Sequence, residues 1–368
     1  MQFMPLHFAA GKGHIEVVKF LILKGDSVNS RNMHKTTPLH LAVENGFEEI
    51  VDILLNHGAD ADAVYLNCLT PLAVAARQGY LSIAKLLLEN GAIIDTLNDC
   101  YQSPLDLAAS FGHFELVKML MYLFKPESKI SALHEVALGG HRNIMESLVK
   151  EGVSIHGKWA RKEFSDLHLA ALEGYTDVID FLIQHGFDID TKVAATQLKK
   201  VLNCKDQKYT AFVDSVTFKR SKRDSLIANG QTALHLSSNR GHREPVRCLL
   251  RNNANIQIMD DSGKMALHDI IINVMTDILI EENIAVGLND CEIYNPLQLG
   301  CVKGYLKFVQ YCIKEGCDIE AKTMFLNDTP LHLAVMRGHA EVVKYLLDNG
   351  SNINATTNNG YSYSYRRK

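Results

Sequence analysis

No stretch of this 368-residue chain approaches the roughly 18 consecutive apolar residues that crossing a bilayer requires; Ile270-Ile271-Ile272, for instance, is broken at once by Asn273. The amino terminus has no basic region followed by an apolar stretch, so the sequence shows no export signal. The eight cysteines show no Cys-x-x-Cys spacing and no evident pairing, which sets aside a disulfide framework and reads as reduced thiols in a cytosolic setting. The formal charge of −4 lacks the basic excess expected of a chain whose main partner is nucleic acid. Tryptophan is nearly absent, Trp159 being the only one.

What the chain has is self-similarity. Thr37-Pro38-Leu39-His40-Leu41-Ala42 returns as Thr70-Pro71-Leu72-Ala73-Val74-Ala75, as Ser103-Pro104-Leu105-Asp106-Leu107-Ala108 and as Thr329-Pro330-Leu331-His332-Leu333-Ala334. Anchors on the proline or its equivalent fall at Pro5, Pro38, Pro71, Pro104, Ala132, Asp166, Ala233, Ala266, Pro296 and Pro330, at intervals of 33, 33, 33, 28, 34, 67, 33, 30 and 34 residues. A fixed period of this length marks a solenoid whose units touch only their neighbours, which overrides the two or three domains that length alone suggests. Each unit has a local logic. Thr or Ser suits a helix N-cap and Pro the first helical position. A short apolar helix follows, Leu39 to Glu44 in the second unit, and Gly46 stops it in the left-handed conformation. Ile50, Val51, Ile53, Leu54 and Leu55 then lie at helical spacing, and Gly58-Ala59 ends that second helix. About ten mixed residues lead to the next Thr-Pro, enough for a tight extended finger.

The Thr-Pro-Leu-His-x-Ala phrase, the Gly-His turns (Gly13-His14, Gly112-His113, Gly140-His141, Gly241-His242, Gly338-His339) and Val342-Val343-Lys344-Tyr345-Leu346-Leu347 together resemble the ankyrin repeat, ten times in register and over nearly the whole chain. The resemblance implies an all-α fold, an ankyrin-repeat solenoid of stacked helix–turn–helix units with extended β-hairpin-like finger loops. It also implies a non-enzymatic protein–protein interaction scaffold, without cofactors, that binds a partner protein along its concave groove. On this reading residues 1–368 form a single array, with six repeats over 4–191, a basic insert or eroded repeat over 192–229, four repeats over 230–361 and a tail at 362–368.

The pattern breaks at three places. The interval of 28 before Ala132 leaves almost no finger, Lys125-Pro126-Glu127-Ser128 running straight into Ser131-Ala132-Leu133-His134. Near Ala266 the Gly-His turn is lost and Val274 stands where glycine belongs, so Leu267 to Glu282 is expected to form altered helices. The interval of 67 holds Lys192 to Asn229, with nine Lys or Arg against three Asp. It reads either as an eroded eleventh repeat, Val201 and Leu202 opening it and Phe212, Val213 and Val216 in its second helix, or as a long finger insertion. Within it Lys219-Arg220-Ser221-Lys222-Arg223 suits a solvated charged helix end, a nuclear-import signal or an acidic partner, and Ser225 a basophilic kinase. The chain opens inside a first helix and closes on the lead-in to another repeat, which points to a piece of a longer array or to diverged caps.

Residues that resemble catalytic chemistry are absorbed by the frame. Seven histidines (His7, His40, His134, His168, His235, His268, His332) fill the Thr-Pro-Leu-His slot and five the Gly-His slot, where the resemblance implies that they tie neighbouring loops by hydrogen bonds. Acidic residues recur on the solvated face of second helices, and the glycines are turn residues rather than a phosphate loop. Metal, acid–base and nucleophile readings, including a chance pairing of Cys68 or Cys100 with a histidine, fall behind ordinary structural roles.

Binding surfaces favour Trp, Tyr and Arg, and the fingers carry Tyr65, Tyr101, Trp159 with Arg161, and Phe325. The two residues before each glycine turn are expected to face the groove; they include Lys12, Arg77, Phe111, Leu172, Arg240, Lys303, Met336 and Arg337. The candidate partner-binding residues are thus Tyr65, Arg77, Tyr101, Phe111, Trp159, Arg161, Arg240, Phe325 and Arg337, and the partner suggested is a segment with acidic and apolar residues. The rival reading is the ankyrin arm of a larger protein, similar to a latrotoxin, a pathogen effector or a signalling protein. A cytoplasmic location fits either.

Overall fold

Capping chemistry sets the repeat. In the computed structural model, which describes residues 4–65, 68–124, 126–154, 165–193, 230–285 and 294–358, the Thr37 hydroxyl accepts the His40 amide (3.4 Å) and donates to the His40 Nδ1 (2.8 Å). That same ring nitrogen accepts the Thr37 amide at 3.3 Å. The pair is a capping box with histidine in place of the usual glutamate. Thr232 with His235 and Thr329 with His332 repeat the hydroxyl and amide bonds onto Nδ1. With Nδ1 accepting, Nε2 carries the proton. His7 Nε2 donates to the Thr36 carbonyl (2.9 Å), His168 to Thr191 (2.9 Å) and His235 to Lys264 (3.0 Å). In His168, whose Nδ1 meets the Ser165 hydroxyl at 2.8 Å, and in His235 one side chain therefore caps its helix and grips the following finger.

The Gly-His turn works between repeats. Gly79 has φ +79°, and a Cβ there would lie 2.4 Å from the His113 ring of the next unit. His113 Nε2 donates to the Arg77 carbonyl at 2.8 Å. His141 to Ser110, His242 to Leu172 and His339 to Val302 repeat the contact at 3.0–3.1 Å.

The described helices fall into two compact units. The first pairs α1 (Pro5–Lys12) with α2 (Ile15–Leu23), α3 (Pro38–Glu44) with α4 (Glu48–Asn56), α5 (Pro71–Gln78) with α6 (Leu81–Glu89), α7 (Pro104–Ser110) with α8 (Phe114–Met121), and α9 (Pro126–Gly139) with α10 (Arg142–Lys150). The second pairs α11 (Asp166–Glu173) with α12 (Thr176–Gln184), α13 (Ala233–Arg240) with α14 (Arg243–Arg251), α15 (Ala266–Ile272) with α16 (Thr276–Glu281), α17 (Pro296–Lys303) with α18 (Leu306–Lys314), and α19 (Pro330–Met336) with α20 (Ala340–Asp348). Within each unit first helices pack on first helices, and most second helices on second helices. The core is the seam between the layers: Leu39, Leu72 and Leu105 from first helices and Leu54, Leu87 and Leu120 from second helices are fully buried. Truncating one such leucine typically costs about 2–5 kcal/mol. There is no β-strand among the described residues. The fingers carry only isolated antiparallel bridges, Tyr65 to Leu69 and Met259 to Met265.

At the short interval the structure departs from the register expected. The helix begins at Pro126, six residues ahead of the Ala132 anchor, and runs 14 residues as α9. Pro126 is pre-set for a helix start, and no glycine follows before Gly139, so helix replaces the finger.

Around Ala266 the second helix shrinks to the six residues of α16. Val274, with φ +60°, stands in the glycine slot and Met275 in the histidine slot. Asn273 takes over the lost histidine's role, its Nδ2 donating to the Ser238 carbonyl (2.8 Å) and the Asn239 carbonyl (3.3 Å). Three arginines of α14 then clamp α16: Arg243 pairs with Asp277, Arg247 with Glu281 (2.8 Å) and Glu282 (3.3 Å), and Arg251 with Glu282 (2.8 Å).

Across the 67-residue interval, α11 packs directly on α13 and α12 on α14. The bonds that join neighbouring repeats elsewhere are intact here. His242 reaches Leu172 over 70 residues where His113 reaches Arg77 over 36. The Asn255 amide donates to Asp190 over 65 residues where that of Ile93 donates to Asp62 over 31. These two pairs are therefore in direct contact with each other. The chain leaves the frame at Val193 and rejoins it at Gly230, and the two points are bonded: Val193 N–H to Gln231 O (2.8 Å) and Gly230 N–H to Val193 O (3.0 Å). Residues 194–229, including the basic run and Ser225, lie outside the described residues.

Candidate partner-binding faces

In the first unit the candidate residues gather where first helices end and fingers begin. Arg77, in the last turn of α5, lies 3.9 Å from Glu44 of α3 and beside the Tyr65 phenol. The Tyr65 ring sits 4.4 Å from that of His40, and burial pushes its phenol pKa up. Tyr65 is thus half held by the frame rather than presented as a free tip.

Tyr101 stands at the tip of the next finger. Asn98 shapes the finger tip, its Oδ1 accepting the amides of Cys100 (2.9 Å) and Gln102 (2.8 Å) while its carbonyl accepts that of Tyr101 (2.8 Å). This Asx turn leaves Tyr101 at φ +59° and 51% exposed. A bulky residue in the left-handed region is an outlier, and glycine, as at the Gly263 tip, takes that conformation without strain. Phe111, which ends α7, is 37% exposed and stacks parallel to the His113 ring at 6.5 Å.

In the second unit Phe325, 76% exposed, stands at a finger tip between exposed Met324 and Leu326. Asn358 fixes the backbone beneath them, its Nδ2 donating to the Phe325 carbonyl (2.9 Å) and its amide to that of Leu326 (2.9 Å). Arg337 and Met336 are exposed at the end of α19, and Arg240 is half-buried at the end of α13. Leu172, expected to face the groove, is buried; its carbonyl is the one His242 grips. Trp159 and Arg161 lie outside the described residues. Met324, Leu326 and Asn358 were not singled out from the sequence, although Met324-Phe325-Leu326 is a legible apolar triplet in an otherwise polar finger.

The titratable side chains serve the frame. Burial lowers His40 and His168 to about 4 and also lowers His235, so these imidazoles are neutral at pH 7. Burial raises Asp106 to about 6 against hydrogen bonds from Ser131 and Ser103. Cys68 is exposed, and Cys100 is buried with its thiol pushed up. No group of three or more His, Cys, Asp or Glu is placed to hold a metal ion among the described residues. None of the described helices is long and apolar enough to cross a membrane. A hollow of about 400 Å³ on α19 and α20, lined by Val335, Val343 and Leu347 with Lys344 and Asp348, is open to solvent.

Comparison with known proteins agrees with this geometry. A model of ankyrin repeats in three copies matches residues 2–65, 105–193 and 271–357; a many-copy model matches 72–121 and a single-repeat model 229–261. The crystal structure of the human ASB11 ankyrin repeat domain superposes with a TM-score of 0.52 at 23% identity, covering 69% of this chain and 99% of that one. Likeness at that identity speaks for the fold alone. No curated protein matches the chain.

Proposed function

Because the chain belongs to the ankyrin repeat family, whose repeats are in general protein–protein interaction modules, we propose that it is a non-enzymatic scaffold whose fingers and first-helix ends receive a partner protein. The observation that carries this reading is the aromatic side chain of Tyr101, 51% exposed at a finger tip. Phe111 in the first unit, and Phe325, Met336 and Arg337 in the second, are exposed side chains of similar chemistry on fingers and first-helix ends. Arginines among exposed aromatic and thioether side chains suit a segment carrying acidic and apolar residues.

The test is capture from cell lysate by the intact chain and by a Tyr101→Ala, Phe111→Ala, Phe325→Ala variant whose helicity and melting are first shown to be unchanged. A protein held by the intact chain and bound at least about 30-fold more weakly by the variant is expected, since an anchor residue contributes about 2 kcal/mol or more. Equal retention overturns these faces as the binding site.

A further inference from the structure

Apart from α8, the second helices end alike. A residue two past the helix cap returns its amide to the carbonyl of the last turn, closing a Schellman turn in which the two side chains face each other. The amides of Ala59, Ala92, Val153, Phe187, Ala254, Ile284 and Ser351 return in this way to Leu54, Leu87, Leu148, Leu182, Leu249, Leu279 and Leu346 at 2.9–3.2 Å. In α18 both positions are cysteine. The Cys317 amide donates to the Cys312 carbonyl at 3.0 Å, and that of Gly316, with φ +85°, to Ile313 at 3.1 Å. By ordinary backbone dimensions this bond holds the two Cα atoms roughly 6 Å apart, inside the span of a disulfide.

The sulfurs differ in access. Cys312 is fully buried, whereas Cys317 is partly exposed. The neighbouring Cys312 thiol favours the thiolate at Cys317 and lowers its pKa, while the same proximity, with burial, raises Cys312. A third thiol, Cys301, is fully buried and pushed up by burial to about 12.

We propose that Cys317 and Cys312 are a thiol modification site that exchanges with a small-molecule disulfide, Cys317 attacking and Cys312 resolving, to close a disulfide across the carboxyl-terminal turn of α18. In the first step the Cys317 thiolate attacks one sulfur of the small disulfide, whose S–S bond breaks and releases one thiolate. In the second, Cys312 attacks the Cys317 sulfur of the mixed disulfide, the second small thiolate leaves, and the Cys312 proton goes with it. The protein's two thiols are oxidised by two electrons, and the small disulfide is reduced to two thiols. The attacking group has what such a thiol needs, thiolate character and access. Its resolving partner is held beside it by the same turn that ends the helix. This site is independent of the binding faces above.

The experiment is incubation of the full chain with oxidised glutathione under native conditions, followed by alkylation, intact mass and peptide mapping. The expected product has lost two hydrogens and carries a Cys312–Cys317 link. Cys312→Ala should stop at a glutathione adduct on Cys317, and Cys317→Ala should show neither adduct nor link at this turn. Alanine occupies the Cys317 position at Ala59, Ala92 and Ala254, so the fold tolerates that variant. A stable adduct on Cys317 of the unmodified chain overturns the resolving role. Full alkylation of both cysteines, or a link from Cys312 to Cys301, overturns the pair.

Discussion

Asp106 stands where seven repeats carry histidine, and it caps its helix as a carboxylate would: Ser103 donates to it through both amide and hydroxyl at 2.8 Å, and Ser131 through its hydroxyl at 2.6 Å. Burial nevertheless outweighs those bonds and raises its pKa to about 6. A carboxyl whose folded pKa lies above its unfolded value of about 3.9 stabilises the fold fully at low pH, and this contribution is lost as pH rises through 6. Between about pH 4 and pH 7 the swing is on the order of 3 kcal/mol. Asp106→Asn keeps an acceptor and cannot titrate, so its urea midpoint should lack the rise toward acid that the Asp106 chain shows between pH 7 and pH 5. Parallel midpoint–pH curves for the two proteins would refute the assignment. His40 has the opposite sign: lowered to about 4, it costs stability as pH falls from about 6.5 through 4.

At the scale of the element, glycines with the same backbone conformation differ in what surrounds them. Gly79 and Gly58 both lie in the left-handed region, but a Cβ at Gly79 meets the His113 ring at 2.4 Å while at Gly58 it meets open space. Gly58→Ala should cost about 1 kcal/mol, the conformational penalty alone. Gly79→Ala should cost at least about 2 kcal/mol, because the imidazole must also leave the Arg77 carbonyl. Equal losses in denaturant midpoint would mean that the histidine moves freely. The sequence announces these turns, since Gly-His recurs at fixed spacing, and it announces the caps through Thr-Pro. Other features were not legible because they depend on what the neighbouring repeat brings. Leu172 is buried although its position suggests exposure, and Tyr65 leans on His40 from the previous repeat's first helix. The early start of α9 was hidden by anchoring on Ala132, although Pro126 is itself a start signal. The facing of Cys312 and Cys317 emerges only when the turn geometry of the other repeats is laid beside theirs.

For the molecule as a whole, the buried titratable groups are unequally shared. In the first unit the acid sensitivity of His40 is offset by Asp106, two shifts of similar size and opposite sign. In the second, His168 and His235 are both lowered by burial. Acidification from pH 7 to about 4.5 should therefore loosen α11–α14 before α3–α7. Hydrogen exchange, corrected for intrinsic rates at each pH, reads this directly, and earlier loss of protection in α3–α7 would contradict it. A separate consequence follows from the paired exit and re-entry at Val193 and Gly230, where the frame is closed by its own backbone bonds and repeats distant in sequence are neighbours in space. Docking α11 on α13 therefore closes an interval of 67 residues where other neighbours close 33, and this junction is expected to form later in folding than those joined by a single finger.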